Sequence, residues 1–267
     1  MITKYLRAKL TQIELVQDRG YDASEELGLA SLLRNVYQFT PGDELTKLLT
    51  KLYPGDHSAV LFSLDNKNDI KRVENITNIL ARVYTVDQFA IDLFNKTYIH
   101  KTDKNKKIYV GYLWTSGDTV SVKLTRDYSN DVLKSGVGDA IMITPVSLTS
   151  QSISELTKLE SARITNFVLN ELIVNVTKHV YQPQYRKLSE QEKTDLLTSA
   201  GVGIDGLPIL KYADLTYYRN KSKEKDVYWD PIVKYFGFKK RDVIEIKETQ
   251  FYLNLIVRNV IRYAVVL

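Results

Sequence analysis

The sequence predicts a protein of mixed helix and sheet, of the α+β or α/β class, folded as two domains. Its 267 residues can enclose two modest cores. Segments with helical spacing and capping residues alternate with short runs of β-branched and aromatic residues, which are typical of strands. We expect an α/β domain over residues 1–178 and a small α+β domain over residues 179–267.

The first predicted element is a helix that ends at Gly20, a residue type that readily adopts the left-handed conformation of a helix terminus. Its apolar face consists of Tyr5, Leu6, Leu10, Ile13 and Val16. The sequence that follows is polar and compatible with helix as far as about Leu52. A Pro-Gly-Asp turn at residues 54–56 then leads to a short buried strand over residues 59–64.

Strand character extends from residue 98 to residue 143. The strand candidates, separated by glycine-containing turns, are residues 108–110, 120–124 and 140–143. Ser152 and Glu155 have the spacing of a capping box, so we expect a helix to begin there. A short helix over residues 167–171 and a strand over residues 172–176 complete this domain.

A second capping box, formed by Ser189 and Glu192, predicts a helix that ends at Gly201. The glycines that follow complete a literal GxGxxG pattern over residues 201–206. A dinucleotide site needs a strand before this pattern and a helix after it, because the helix N-terminus holds the pyrophosphate. Here a helix precedes the pattern and Leu207-Pro208 follows it, so we interpret it as a loop.

The last predicted unit runs from Asp230 to a strand that begins near Val243. Asp230 is a preferred N-cap, and Pro231 suits the first helical position, where its missing N–H would have no partner in any case. Gly237 can end this short helix in the left-handed conformation. A basic turn at residues 239–241 separates the helix from the strand.

Composition restricts the classes of function. The net charge of +5 and the pI of about 9.0 are compatible with work near nucleic acid but do not require it. Because the chain has no cysteine, disulfides, thiolate metal sites and thiol nucleophiles are excluded. We find no signal-peptide core at the N-terminus and no apolar run long enough to span a bilayer, so we expect a soluble chain.

Catalytic and metal sites have little support in the sequence. Residues 245–247 (EIK), with Asp230 or Asp242 upstream, resemble the carboxylate and lysine set of metal-dependent nucleases. A solvated charged pair on a strand is the simpler interpretation, and we identify no converging carboxylates in residues 1–178. The three histidines lie far apart, without the spacing of a metal site: His57, His100 and His179.

Residues 211–241 contain nine lysine or arginine residues and eight aromatic residues. Basic charge can neutralise phosphates and aromatic rings can stack on unpaired bases, so a free nucleic-acid-binding protein is one hypothesis. We favour the alternative that the aromatic residues near residue 235 belong to the core and that residues 217–225 form a solvated insertion.

Five short elements occur in the second half of the chain in a definite order: ELIVNVTKH at residues 171–179, the capped helix at Ser189, Leu207-Pro208, DPIVKYFG at residues 230–237 and the basic turn at residues 239–241. This order resembles that of one family, the fifth subunit shared by eukaryotic nuclear RNA polymerases, whose C-terminal part also occurs alone as a small subunit of the archaeal polymerase. The DRGY at residues 18–21 also resembles the end of the first helix in the eukaryotic subunit.

The resemblance implies a non-catalytic structural subunit of a multisubunit DNA-dependent RNA polymerase, without cofactor, metal ion or membrane. Residues 1–178 would form a jaw beside the downstream duplex DNA, with non-specific contacts to its backbone. Residues 179–267 would form an assembly domain with a mixed sheet, similar to the small archaeal subunit, which docks on the largest subunit alongside the other polymerase subunits. We expect the assembly element to comprise Asp230, Pro231, Tyr235, Gly237, Lys239 and Lys240.

The chain also departs from the family pattern. Tyr185 stands where the family has a histidine, and an insertion around residues 214–229 lengthens the path to Asp230. Arg241 replaces a glycine, so we expect the basic turn to need different backbone angles. Such divergence suggests a polymerase subunit of a large DNA virus, found in the virion and host cytoplasm; a cellular protein would be nuclear.

Overall fold

The computed structural model describes residues 2–28, 30, 94–115, 119–179, 181–210, 230–252 and 255–266. The chain divides into two compact units, Met1–Val174 and Asn175–Leu267. Each unit combines helices with a mixed four-stranded sheet, which confirms the predicted fold class. The assignment of a jaw over residues 1–178 and an assembly domain over residues 179–267 stays a prediction.

The first unit contains a sheet with the strand order β1-β2-β3-β4. Its elements are α1 (Ile2–Asp18), β1 (Lys96–Ile99), β2 (Lys107–Tyr112), α2 (Val122–Ser135), β3 (Asp139–Thr144), α3 (Ser150–Leu156) and β4 (Arg163–Val168). Strands β1 and β2 are antiparallel, whereas β2, β3 and β4 are parallel. Parallel neighbours need crossover connections, which α2 and α3 provide. Nearly every residue of β2 and β3 is buried, as expected of parallel strands covered on both faces.

A buried polar network joins α1 to the sheet. The Lys9 Nζ atom lies 2.9 Å from Glu26 Oε1, and Tyr98 OH donates to Glu26 Oε2 over 2.5 Å. Gln12 Nε2 donates to Tyr98 OH over 3.0 Å. Burial lowers the pKa of Lys9, against the opposing attraction of Glu26, and raises the pKa of Tyr98. The network therefore depends on every partner being present.

The second unit contains a sheet with the order β5-β7-β8-β6. Its elements are β5 (Gln184–Lys187), α4 (Glu190–Ala200), β6 (Ile209–Leu210), α5 (Pro231–Phe236), β7 (Val243–Tyr252) and β8 (Leu255–Val266). Strand β7 is antiparallel to both β5 and β8, and β6 joins the edge of β8 in parallel. Buried side chains from α5, from the turn after it and from the two long strands form its core: Val233, Phe238, Ile244 and Val266.

The predicted strand over residues 120–124 is wrong, because α2 occupies most of it. Ser121 is the N-cap of α2, and its side chain accepts a hydrogen bond from the Leu124 N–H. Five alternating residues are typical of a strand, but they also fit the start of a helix when one of them is a capping serine. Gly136 ends this helix with a φ of 62°. The other two strand candidates, residues 108–110 and 140–143, are confirmed.

Three predictions near the end of the first unit are wrong in detail. The helix begins after Thr149 rather than at Ser152, because Thr149 Oγ1 accepts the Ser152 N–H while Ser152 Oγ donates to the Val120 carbonyl. Phe167 lies in β4, so only a 3₁₀ turn, Leu169–Leu172, remains of the short helix predicted there. The strand predicted over residues 172–176 gives way to a second 3₁₀ turn at Val176–Lys178.

The helix predicted after Ser189 is confirmed. Ser189 accepts the Glu192 N–H, Glu192 accepts the Ser189 N–H, and Gly201 ends α4 with a φ of 62°. The loop interpretation of residues 201–206 is also confirmed, since α4 precedes them and a 3₁₀ turn with β6 follows. Within the described ranges no helix has the length and apolar character that a membrane crossing requires. The strand predicted over residues 59–64 lies outside those ranges.

Candidate assembly interface

Helix α5 is fixed at both ends by the residues that predicted it. Asp230 Oδ1 accepts the N–H groups of Ile232 and Val233 at 2.8 and 3.2 Å. Pro231 occupies the first turn, and Gly237 ends the helix with a φ of 66°. These contacts satisfy backbone groups that would otherwise have no partner at the termini of so short a helix.

Tyr235 connects α5 to the start of the second unit. Its ring is 2% exposed, and its hydroxyl accepts a hydrogen bond from Asn175 Nδ2 over 3.1 Å. Ile232 and Val233 are buried beside it. Tyr235 is therefore an internal support of the unit, so its ring is not available to a partner surface.

The basic turn after α5 is held by charge and by backbone pairing. Lys239 N–H donates to Asp242 Oδ2 over 2.7 Å, while Asp242 Oδ1 lies 2.6 Å from Lys187 Nζ. The Arg241 N–H donates to the Val266 carbonyl over 2.8 Å, and the Val266 N–H donates to the Asp242 carbonyl over 3.0 Å. The turn is thereby tied to the last strand of the sheet.

The expectation that the basic turn needs backbone angles different from those of the family stays a prediction, but the conformation of Arg241 itself is unusual. Arg241 has a φ of 69°, the left-handed conformation that glycine adopts most easily. Among the residues that the structure describes, it is the only one other than glycine with a positive φ. The hydrogen bonds to Val266 and the ion pair of Asp242 hold this conformation, at a cost of about 1–2 kcal/mol for a side chain with a Cβ.

The six predicted assembly residues lie together in one capped helix and turn, but they differ in exposure. Asp230 and Gly237 serve the helix ends, and Tyr235 is buried. The side chains that reach solvent are those of Pro231, Lys239 and Lys240. Whether this exposed subset contacts a partner stays a prediction.

Two exposed isoleucines on the second sheet were not singled out from the sequence. Ile209 in β6 and Ile261 in β8 are each 53% exposed. Ile209 pairs with Val265, and alternation along β8 places Ile261 on the same face. Sequence could not have identified them, because an isoleucine in a predicted strand is assigned to the core unless the strand order is known.

The nuclease-like set is a salt-bridge network. Arg186 Nε and Nη2 donate to the two carboxylate oxygens of Glu245 over 3.1 and 3.2 Å, and Lys247 Nζ lies 3.3 Å from Glu245 Oε1. These cations, Arg186 foremost, lower the pKa of Glu245 against the opposing effect of burial. Asp230 and Asp242 are engaged as cap and turn partner. In the described parts of the chain, no cluster of three carboxylate or histidine side chains could hold a metal ion.

Some predicted features fall outside the described residues. His57 and the insertion at residues 214–229 are among them. His100 lies in the first unit and His179 in the second, each accepting a backbone N–H two residues later along the chain. Neither histidine has the setting of a metal ligand in these local turns.

A protein-family model for the C-terminal domain of RNA polymerase Rpb5 matches residues 174–228. The match begins one residue before the second unit and covers β5, α4 and β6. It ends two residues before Asp230, so α5 and the basic turn lie beyond it. The family model and the fold thus agree on where the second unit starts.

Three proteins similar to this chain are subunits of DNA-directed RNA polymerases. The chain is similar to the DNA-directed RNA polymerases IV and V subunit 5B of Arabidopsis thaliana, with 27% identity over 244 residues, 91% of this chain and 82% of the relative. It is also similar to the RNA polymerase V subunit 5A of the same plant, at 27% identity over 58% of this chain and 62% of the relative. A subunit rpabc1 of RNA polymerases I, II and III from Dictyostelium discoideum is 22% identical over 67% of this chain and 90% of the relative. Taken with the Rpb5 match on the second unit, these relatives show that the chain is similar to subunit 5 of DNA-directed RNA polymerases.

Proposed function

We propose that this chain is a non-catalytic structural subunit of a multisubunit DNA-directed RNA polymerase. The observation that carries the proposal is the coincidence of the Rpb5 match, which starts at residue 174, with the start of the second unit at Asn175. Polymerisation chemistry and its metal ions would belong to other chains of the complex. The role of this chain would be to assemble with them.

The second unit has surface features that suit a docking role on the largest subunit. Ile209 and Ile261 expose apolar surface on one face of the sheet. Helix α4 has no buried residue, although Leu196 and Leu197 give it apolar side chains that are half-buried. Apolar surface of this kind is typical of the centre of a protein interface, and charged residues such as Lys239 and Lys240 are typical of its rim.

The first unit would act as a jaw beside the downstream duplex DNA. Non-specific contact with a passing duplex requires cationic groups that meet phosphates rather than base edges. The net charge of +5 on the chain is compatible with this role. The contact would position the duplex without reading its sequence.

Localisation depends on the source of the chain. The relatives are proteins of a plant and a slime mould, so a cellular form would act in the nucleus. A viral form would act in the virion and the host cytoplasm. The divergence of the sequence is the only support for the viral form, since the relatives described above are cellular.

Affinity purification tests the proposal. We expect the tagged full-length chain, expressed in its native source, to recover two very large polymerase subunits in stoichiometric amounts at moderate salt. Reversing the exposed charges with the double substitution Lys239→Glu and Lys240→Glu should reduce this recovery several-fold, because the charges lie in the predicted assembly element. Mass spectrometry of the recovered proteins measures both quantities.

A matched charge reversal in the first unit provides the control. Lys101→Glu with Lys104→Glu changes the net charge by the same amount on exposed residues, and we expect full recovery of the large subunits. Recovery of a folded chain alone would overturn the subunit assignment. Equal losses in both double variants would overturn the placement of the assembly element.

A further inference from the structure

The connection from β1 to β2, together with the first residue of β2, forms a basic hairpin over residues 101–107. It contains four lysines and one aspartate, and all seven residues are exposed. The lysines are Lys101, Lys104, Lys106 and Lys107. No aromatic residue lies within the hairpin itself, so its chemistry is that of clustered ammonium groups.

These lysines lack ion pairs, unlike six other basic residues of the first unit. Ion pairs to nearby carboxylates neutralise Lys9, Lys96, Arg126, Lys134, Lys158 and Arg163. Within the described residues, none of the four hairpin lysines forms an ion pair. The hairpin therefore carries positive charge that no ion pair within the described residues neutralises.

Two carboxylates in or beside the hairpin accept hydrogen bonds from the backbone. Asp103 Oδ1 accepts the Asn105 N–H over 3.0 Å, which shapes the turn. Asp22 Oδ1 accepts the Ser24 N–H over 2.9 Å, and this bond is the main reason that the pKa of Asp22 is lowered; Lys101 contributes least. Both carboxylates weaken the positive field of the hairpin without pairing with its ammonium groups.

Backbone hydrogen bonds tie one end of the hairpin to the residues just after α1. Lys101 N–H donates to the Gly20 carbonyl over 2.9 Å, and Asp22 N–H donates to the Ile99 carbonyl over 2.8 Å. The approach is close, since a Cβ at Gly20 would lie 2.7 Å from the His100 ring. This anchoring reduces the backbone freedom that the hairpin has to lose when a partner binds.

We propose that the basic hairpin is a binding surface for the phosphate backbone of duplex DNA. Lysine is a compact point charge that suits phosphate, and a duplex presents phosphates at a density that several adjacent lysines can meet together. Without aromatic side chains the hairpin lacks the stacking surface that favours unpaired strands. The choice of duplex DNA rests on the proposed function, which places the first unit beside such a duplex. An acidic protein segment is the competing occupant.

A binding titration with the full-length chain tests the assignment. The probe is a short fluorescent duplex of random sequence, followed by anisotropy at several salt concentrations. The test variant replaces the four lysines: Lys101→Gln, Lys104→Gln, Lys106→Gln and Lys107→Gln. We expect its affinity to fall at least about tenfold and the slope of log K against log salt to flatten by up to about 3–4, close to one per lost phosphate contact.

The control removes the same charge from exposed lysines elsewhere. These substitutions are Lys123→Gln, Lys134→Gln, Lys158→Gln and Lys178→Gln. We expect this variant to keep most of the wild-type affinity and slope, and both variants to keep the wild-type circular dichroism and Tm. Equal losses of affinity in the two variants would show that binding depends on net charge alone and would overturn the proposal. Unchanged binding by the hairpin variant would also overturn it.

Two further comparisons separate the alternatives. Poly-glutamate of matched charge should bind more weakly than the duplex; equal binding, with the same dependence on the hairpin, would favour an acidic protein partner and overturn the assignment to DNA. The hairpin variant should still recover the large polymerase subunits. If the wild-type chain itself recovers none, the proposed function fails while the duplex measurement still decides what the hairpin binds.

Discussion

At the scale of single residues, the least expected feature is the left-handed backbone of Arg241. The sequence correctly predicted the roles of Asp230, Pro231 and Gly237, because capping and chain termination depend on neighbours a few residues away. The conformation of Arg241 depends on Val266, which is remote in sequence and adjacent only in the folded sheet. Local reasoning therefore could not determine it.

Replacing Arg241 with glycine should stabilise the second unit. The left-handed conformation costs a residue with a Cβ about 1–2 kcal/mol, which glycine would avoid. The greater freedom of glycine in the unfolded chain opposes this gain by about 0.4–1 kcal/mol. We expect Arg241→Gly to raise the free energy of unfolding by about 0.5–1 kcal/mol, measured by urea denaturation. Arg241→Ala, which keeps the Cβ, is the control and should bring no gain. A destabilised glycine variant would show that the arginine side chain contributes more than the strain costs.

At the scale of elements, the sequence predicted correctly those helices whose signal comes from residues close together in the chain. The α4 and α5 helices were predicted with their caps, since a cap is a contact between residues close in sequence. The α2 helix was mistaken for a strand, because alternation over residues 120–124 is too short to distinguish the two periods. The exposure of Ile209 and Ile261 depends on strand order, which no local pattern reveals. The sequence therefore could not predict which residues of the candidate interface are exposed.

Helix α5 should depend strongly on its cap. It is only six residues long, and Asp230 satisfies two of its N–H groups. We expect Asp230→Ala to lower the free energy of unfolding by about 1–2 kcal/mol. Asp230→Asn retains an acceptor oxygen and should cost less than the alanine variant. Equal losses, measured in the same urea series, would mean that the charge of Asp230 matters more than its capping bonds.

At the scale of the whole molecule, both units should lose stability in acid through their carboxylates. Arg126, followed by Lys158, lowers the pKa of Glu155 to about 2. The Ser189 N–H, followed by Arg186, lowers the pKa of Glu192 to about 2. Both values lie below the ordinary 4.5, so between these limits the unfolded chain binds more protons than the folded one. The stabilisation is present above about pH 4.5 and disappears as the pH falls towards about 2.

The double substitution Glu155→Gln and Glu192→Gln should flatten this acid dependence. We expect urea midpoints measured from pH 5 to pH 2.5 to fall less steeply in the variant, and added salt to reduce the difference because both ion pairs reach solvent. Glutamine at position 192 can still accept the Ser189 N–H, so the helix cap is retained. An identical pH dependence in the two proteins would contradict the assignment of these carboxylates.

The buried ion pair between Lys9 and Glu26 should constrain how these two positions evolve. Loss of either partner leaves a buried charge alone at a cost of about 3–5 kcal/mol, a large share of the 5–15 kcal/mol that stabilises a typical domain. Replacing both with apolar side chains can be nearly neutral. A lineage that exchanged one residue of the pair at a time would therefore pass through a destabilised protein. We expect selection to act against single substitutions at either position. We therefore expect relatives either to keep both residues or to have exchanged both.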